Sequence, residues 1–272
     1  MSSIKVRAAK TGSVIQMTLV AIFTALALAT VAVPTATANA ADDACANIEV
    51  VFARGTFEAP GVGDTGQAFV DALGARLPGK SVDTYGVNYP ASLDFGQAAD
   101  GIADASNRIQ SIAAMCPATK IVLGGYSQGA AVAGYTTSSS VPAGVTLPAG
   151  ISGPMPPAIA SHVAAVVLFG TPDSWFLSLA DHAAPPISVG QPYVAKTLQL
   201  CAQGDPVCFP GGFNRAAHSA YKNNGMADQA ADFVVQKLGA AARSATVLQA
   251  SGTVDDNQGA GQLAAPVVDH AN

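Results

Sequence analysis

The run Lys120-Ile121-Val122-Leu123-Gly124-Gly125-Tyr126-Ser127-Gln128-Gly129 constrains this chain more than any other. Lys120 to Leu123 reads as a buried strand. A Gly-x-Ser-x-Gly turn follows, and the small residues Ala130-Ala131-Val132-Ala133-Gly134 open a helix behind it. Such a turn forces its central serine into a strained backbone geometry, and Gly125 and Gly129 lack the side chains that would clash there. Ser127 then stands at a helix N-terminus, where the partial positive charge favours a developing anion. The five-residue pattern occurs by chance in many chains. The strand before it and the helix after it make it a nucleophile elbow.

The rest of the chain fits a sheet that can carry such a turn. Short β-branched runs at Ile48 to Phe52, Ser81 to Val87, Val163 to Phe169 and Thr197 to Leu200 read as four more strands. Between them lie helical patterns. Gln67 to Leu77 is one, and Ala98, Ile102, Ala105, Ile109 and Ile112 recur every three or four residues in another. A last helix, from about Met226 to Leu238, carries Ala230, Phe233, Val234 and Leu238 on one face. Strands alternating with helices predict a parallel sheet covered on both faces. Ser138 to Pro157, rich in Gly, Pro and Ser, reads as a long loop. Residues 240–272 hold no sustained periodicity and read as a disordered tail.

The first forty residues have a different character. Lys5, Arg7 and Lys10 precede an apolar stretch from Val14 to Val33, and Ala38-Asn39-Ala40 gives a small-x-small cleavage pattern. This is the layout of a secretory signal peptide over residues 1–40, which leaves one domain over 41–239. Thr18, Thr24, Thr30 and Pro34 argue against a retained membrane anchor. The formal charge is −5, and because three of the basic residues lie in the leader, the remainder is more acidic still. Such a chain has no electrostatic footprint for nucleic acid. Charged residues make up only 11%, against roughly a quarter in ordinary domains, so stability must be helped from elsewhere. The four cysteines, Cys45, Cys116, Cys201 and Cys208, are candidates. An even count behind a signal peptide predicts disulfides. Three pairings are open; a Cys201–Cys208 bridge closes a small loop and leaves Cys45 to Cys116. Neither the spacing nor nearby histidines suit zinc.

A nucleophilic serine needs a base. Of the four histidines, His270 falls in the tail and His162 precedes the fourth strand, at the opposite edge of the sheet from Ser127. His182 follows Asp181 in a Pro-rich stretch and stays open. His218 follows the fifth strand, and with Asp205 before it satisfies the order Ser, acid, His. Asp205 lies between Cys201 and Cys208, in a loop that a disulfide would stiffen, and its task would be to fix the tautomer and orientation of the histidine. Asp173, after the fourth strand, is the rival acid. An oxyanion hole would combine the backbone N–H of Gln128 with one from Ala53-Arg54-Gly55-Thr56 after the first strand, with the Thr56 hydroxyl available as well.

Taken together, Ala53-Arg54-Gly55-Thr56, Cys116-Pro117, Gly124-Gly125-Tyr126-Ser127-Gln128-Gly129, Cys201-Ala202-Gln203-Gly204-Asp205-Pro206-Val207-Cys208 and His218-Ser219-Ala220-Tyr221 resemble the cutinases, and more closely the cutinase-like secreted esterases of mycobacteria and related actinobacteria. The resemblance covers roughly Cys45 to Leu238. It implies a single-domain α/β-hydrolase sandwich of three layers, with a five-stranded parallel sheet, a shallow site and no large lid. It also implies nucleophile Ser127, acid Asp205, base His218, an oxyanion hole from Thr56 and Gln128, and bridges Cys45–Cys116 and Cys201–Cys208. The expected enzyme is a secreted monomeric carboxylic ester hydrolase acting without metal or cofactor on short- to medium-chain acyl esters, in transient contact with lipid or cell-envelope surfaces. Phospholipase, thioesterase or acyltransferase chemistry on the same triad is the alternative, and a wall-associated binding protein with little turnover is another. The loop Phe209-Pro210-Gly211-Gly212-Phe213-Asn214-Arg215 departs from the aliphatic walls of fungal cutinases, so cutin itself is not implied.

Overall fold

The computed structural model describes residues 45–141, 147, 151–182 and 184–252, with side chains as far as Arg243 in the last helix. The expected leader and the tail beyond Gly252 lie outside these residues. The element order is β1 (Ile48–Ala53), α1 (Gly63–Arg76), β2 (Val82–Gly86), α2 (Ala98–Met115), β3 (Lys120–Tyr126), α3 (Gln128–Thr136), β4 (Val163–Phe169), α4 (Ser174–Ala180), α5 (Gln191–Val194), β5 (Thr197–Leu200), α6 (Arg215–His218) and α7 (Met226–Gly252). All five strands run parallel, in the order β2-β1-β3-β4-β5.

The central strands are buried on both faces, and residues alternate between two cores. From β1, Val50 and Phe52 join Phe69 and Leu73 of α1 and Ala230 and Val234 of α7. Val51 and Ala53 point the other way, toward Ile109 and Ile112 of α2 and Val132 of α3. Phe52, Phe69 and Phe169 meet with ring centroids 6.0–6.2 Å apart, a spacing at which tilted aromatic pairs attract beyond simple burial. The result is a three-layer α/β sandwich.

The chain leaves β1 for β2 at the edge, then crosses to β3 on the other side of β1. That reversal is a topological switch point, and it opens a crevice at the carboxyl ends of β1 and β3. Two disulfides brace the frame. Cys45–Cys116 ties the segment before β1 to the end of α2, and Cys201–Cys208 closes the loop after β5. Among the described residues, no helix is long and apolar enough to cross a membrane.

The structure differs from the sequence reading in the extent of several elements, and α4, α5 and α6 are additional to it. β3 runs on to Tyr126, because Gly124 and Gly125 continue the ladder with β4 before the turn begins. α1 begins at Gly63, earlier than Gln67, through a glycine-rich entry with no side-chain cap. α7 continues to Gly252, so residues 240–252, expected to be disordered, are helical. Ala240, Ala241, Ala242 and Ala245 supply the strongest intrinsic helix formers there, even though they carry no apolar periodicity.

Candidate active site

Ser127 lies between β3 and α3 with φ 55° and ψ −118°, a conformation that costs a non-glycine residue about 1–3 kcal/mol. The surroundings hold it there. Its N–H donates to the Phe169 carbonyl at 2.8 Å, and its own carbonyl accepts from Ala130 N–H at 2.9 Å. Space enforces the glycines on either side. A Cβ on Gly125 would stand 2.1 Å from the Gly129 carbonyl oxygen, and one on Gly129 would stand 1.9 Å from that of Ala53. The second contact presses the end of β1 against the start of α3, and so draws the loop after β1 toward Ser127.

His218 closes α6 and faces Ser127, with Nε2 2.8 Å from Oγ. Its Nδ1 lies 2.9 and 2.8 Å from the two carboxylate oxygens of Asp205. Asp205 is wholly buried. Burial alone would raise its pKa, but hydrogen bonds from His218, from the Tyr221 hydroxyl and from Val207 N–H outweigh that and hold the carboxyl below its ordinary value. The loop that presents Asp205 is shut by the Cys201–Cys208 bridge and by the bond from Phe209 N–H to the Asp205 carbonyl.

Thr56 and Gln128 approach the serine from two sides. Gln128 is the first residue of α3, so its N–H is one of the donors that a helix leaves without an internal partner. The Thr56 hydroxyl donates to Gln128 Oε1 at 3.3 Å, and Gln128 Nε2 donates to the Ser92 carbonyl at 3.0 Å. The Gln128 side chain therefore links the loops that follow β1 and β2.

The other candidates stand elsewhere. Asp173 caps α4, its Oδ1 accepting from Phe176 N–H at 2.7 Å. His162 precedes β4, where its carbonyl accepts from Ile121 N–H at the amino end of the sheet. His182 lies beyond α4, and His270 is outside the described residues. Among the described residues, no three His, Cys, Asp or Glu side chains gather as ligands for a metal ion.

Several supporting residues carry no role in the sequence reading. The buried Tyr221 hydroxyl donates to Asp205 Oδ2 and accepts from Ala202 N–H at 3.1 Å. Burial and the Asp205 carboxylate push its pKa far up, so it stays a neutral donor. Tyr126 donates to the His218 carbonyl at 2.6 Å and sets its ring 5.1 Å from the imidazole. Arg54 is buried, and its guanidinium donates to three carbonyls, those of Glu58 (2.8 Å), Val87 (3.3 Å) and Tyr89 (2.6 Å). Glu58 in turn accepts from Gly55 N–H at 2.6 Å and Asp64 N–H at 2.8 Å. Together they fix the loop that bears Thr56. The signal for the tyrosines was present in the sequence, as aromatic residues inside the Ser127 and His218 motifs. Arg54 was legible only as a long cation beside an otherwise apolar strand.

A cleft of about 410 Å³ opens over Ser127. Ala131 and Tyr135 of α3 line its floor, and Phe176, Leu177 and Ala180 of α4 form one wall. Phe57 and Leu93 stand at its rim, 75% and 63% exposed.

The chain is similar to known proteins. The family described as Cutinase matches residues 44–238. The protein named Carboxylesterase Culp1 of Mycobacterium tuberculosis is 46% identical over 221 residues, covering 81% of this chain and 94% of that protein. The protein named Phospholipase Culp4 of the same organism is 46% identical over 214 residues, covering 79% and 88%. A Trichoderma reesei cutinase solved with a phosphonate inhibitor superposes with a TM-score of 0.52 at 34% identity, over 71% of this chain and 77% of that one. The chain belongs to the cutinase family and is a serine carboxylic ester hydrolase of that type.

Proposed function

We propose that Ser127 is the nucleophile, His218 its general base and Asp205 the group that orients and charges the histidine. The observation that carries this is the unbroken chain of contacts from Ser127 Oγ through both ring nitrogens of His218 to a buried carboxylate. Such an arrangement keeps the proton on Nδ1 and leaves Nε2 free to accept. His218 takes the Oγ proton as Ser127 attacks the ester carbonyl. The tetrahedral oxyanion is held by the backbone N–H groups of Gln128 and Thr56, with the Thr56 hydroxyl able to turn from Gln128 Oε1 toward it. The imidazolium then gives its proton to the leaving alcohol, and an acyl group remains on Ser127. Water, activated by the same histidine, attacks that acyl-enzyme and releases the acid.

The rim and walls favour an uncharged acyl group of short to medium length, and the chemistry needs no cofactor. A phospholipid ester is the second reading. It is favoured by the exposed apolar rim at Phe57 and Leu93, and by the likeness to a relative named a phospholipase. The leader over residues 1–40 and the two disulfides support a secreted monomer that meets lipid or envelope surfaces at that rim. The acidic balance argues against nucleic acid as a partner.

Replacing Ser127 with Ala tests the assignment. Hydrolysis of a soluble chromogenic ester should fall by at least about 10⁴-fold, with the melting curve unchanged, and a fluorophosphonate probe should label Ser127 alone. Near wild-type turnover in the variant, or labelling at another residue, sinks the reading.

A further inference from the structure

A second cavity, of about 300 Å³, adjoins the cleft. The two share the walls Phe95, Ala98, Tyr135, Asp181 and Ala184. Beyond these shared residues, the second cavity is bounded by Ile102 of α2 and by Ile151, Pro154 and Met155. The path between them follows α3. Ser127, Ala131 and Tyr135 fall at i, i+4 and i+8 and share one face. Tyr135 therefore stands about 12 Å along the helix from Ser127, at 1.5 Å per residue.

The shared wall at Tyr135 is held in place. The Tyr135 hydroxyl donates to the Pro185 carbonyl, and α3 meets the following segment so closely that a Cβ on Gly134 would lie 2.5 Å from Ile187. Burial and the Asp181 charge raise the Tyr135 phenol to about 12, so it remains a neutral donor at that wall. Among the described residues that line the two cavities there is no Lys or Arg, and Asp181 lines both. An anionic headgroup entering there would find no Lys or Arg among these residues. An aliphatic tail meets mainly apolar walls.

We infer that the two cavities form one channel for the acyl chain of the substrate, running from Ser127 past Ala131, through the waist at Tyr135, and into the space between Ile102 and Met155. The occupant is the acyl side of the ester, because the channel begins at the atom that becomes acylated and its walls are mainly apolar. With carbon–carbon bonds of about 1.5 Å set zigzag, on the order of ten carbons reach the waist, so longer acyl chains enter the second cavity. The inference rests on Ser127 as nucleophile, and it extends the substrate class from short- and medium-chain to long-chain esters.

The test is a chain-length series of p-nitrophenyl butyrate, octanoate and myristate, each below its aggregation concentration, with wild type, Ile102→Trp and Met155→Trp. Each methylene buried beyond the waist is worth up to about fourfold in kcat/KM. Wild type should therefore show kcat/KM rising from octanoate to myristate, and each tryptophan should lower the myristate-to-butyrate ratio at least tenfold. A wild-type profile that is flat or falling past octanoate overturns the channel, as does a smaller change of ratio in folded variants. If neither variant folds by near-UV circular dichroism, the wild-type profile decides alone. Failure of wild type to hydrolyse butyrate would instead refute the esterase assignment of Ser127, which separates the two results.

Discussion

The Tyr221 hydroxyl is the most economical place to test how the acid is held. Tyr221→Phe removes one oxygen and keeps the ring, which is fully buried and packs edge-on to Phe169 at 6.1 Å and to His218 at 6.3 Å. Besides a contact with Cys208 Sγ at 3.3 Å, two stronger interactions go with it. The Asp205 carboxylate loses a charge-assisted bond, and Ala202 N–H loses its acceptor. A hydrogen bond to a charged group is worth about 1.5–3 kcal/mol, and an orphaned buried donor costs about 1–3 kcal/mol. The pair, allowing for partial relaxation, should cost about 2–4 kcal/mol, or roughly 5–15 °C in melting temperature for a domain of this size. The loss also has a pH signature. The carboxyl of Asp205 is held below its ordinary pKa, so its contribution to stability is present above its unfolded pKa of about 4 and is lost as pH falls through the folded value. Removing a bond that favours the ionised form means that the gap between wild type and variant is full at neutral pH and narrows on acidification. Activity should suffer less. His218 and Val207 N–H still hold Asp205, so kcat should lose only part of the roughly 10²–10⁴-fold that a positioned acid–base group supplies. Urea unfolding at several pH values, with ester kinetics alongside, reads both effects. A melting shift under about 2 °C, or a stability gap that does not narrow as pH falls below about 4, refutes the argument and leaves Tyr221 as packing alone.

Other perturbations separate the remaining parts of the site. Gly129→Ala forces a Cβ to within 1.9 Å of the Ala53 carbonyl and should cost more than about 3 kcal/mol; a variant that melts with wild type would show that the β1 loop can yield. Replacing both cysteines of each bridge by Ser should cost about 4.4 kcal/mol for Cys45–Cys116 and about 2.5 kcal/mol for Cys201–Cys208 on loop length alone. The order should reverse for activity, because the shorter loop carries Asp205, and equal kinetic losses would count against that role. Arg54→Met leaves three carbonyls without their donor, so kcat should fall with little change in KM as Thr56 loses its fixed place; a change confined to KM would contradict this.

The sheet was legible because its strands are short β-branched runs such as Val163 to Phe169, whose bounds the structure repeats. That Ser127, Asp205 and His218 come together was legible because each sits in a short motif whose residue types answer a local demand: no side chain at Gly125 and Gly129, a closed loop around Asp205, a turn before His218. The supporting contacts were not legible in the same way. Tyr221 serves Asp205 only because β5 and the segment before α7 lie side by side in space. The depth of the cleft depends on α4 and on residues 184–190, whose positions no periodicity fixes. α4 was missed because its seven residues are too short for a pattern, and both of its sides are apolar: Phe176 and Leu177 face the cleft, while Trp175 and Leu179 face out. The helix past Leu238 was missed because a small-residue composition without periodicity was taken for disorder, although alanine favours helix in any context that does not oppose it.

The division between these legible and illegible parts follows the way the fold distributes rigidity. The groups proposed to react stand just past the ends of β1, β3 and β5, and on α6 for His218, where buried strands, a disulfide and carbonyls within 2.2 Å of an added Cβ on Gly125 or Gly129 restrict movement. Ser127 can hold its strained φ because every neighbour resists the alternative. The groups proposed to meet the acyl chain stand on weaker supports. α4 buries no residue of its own, Phe57 and Leu93 are exposed, and the waist at Tyr135 depends on one hydrogen bond to a loop carbonyl. Substitution at those positions alters which chains fit without disturbing the strand ends that carry out the reaction. The same elbow can therefore serve esters of different length across a family, and the features that would name the substrate of this chain lie in the segments that the motifs leave unspecified.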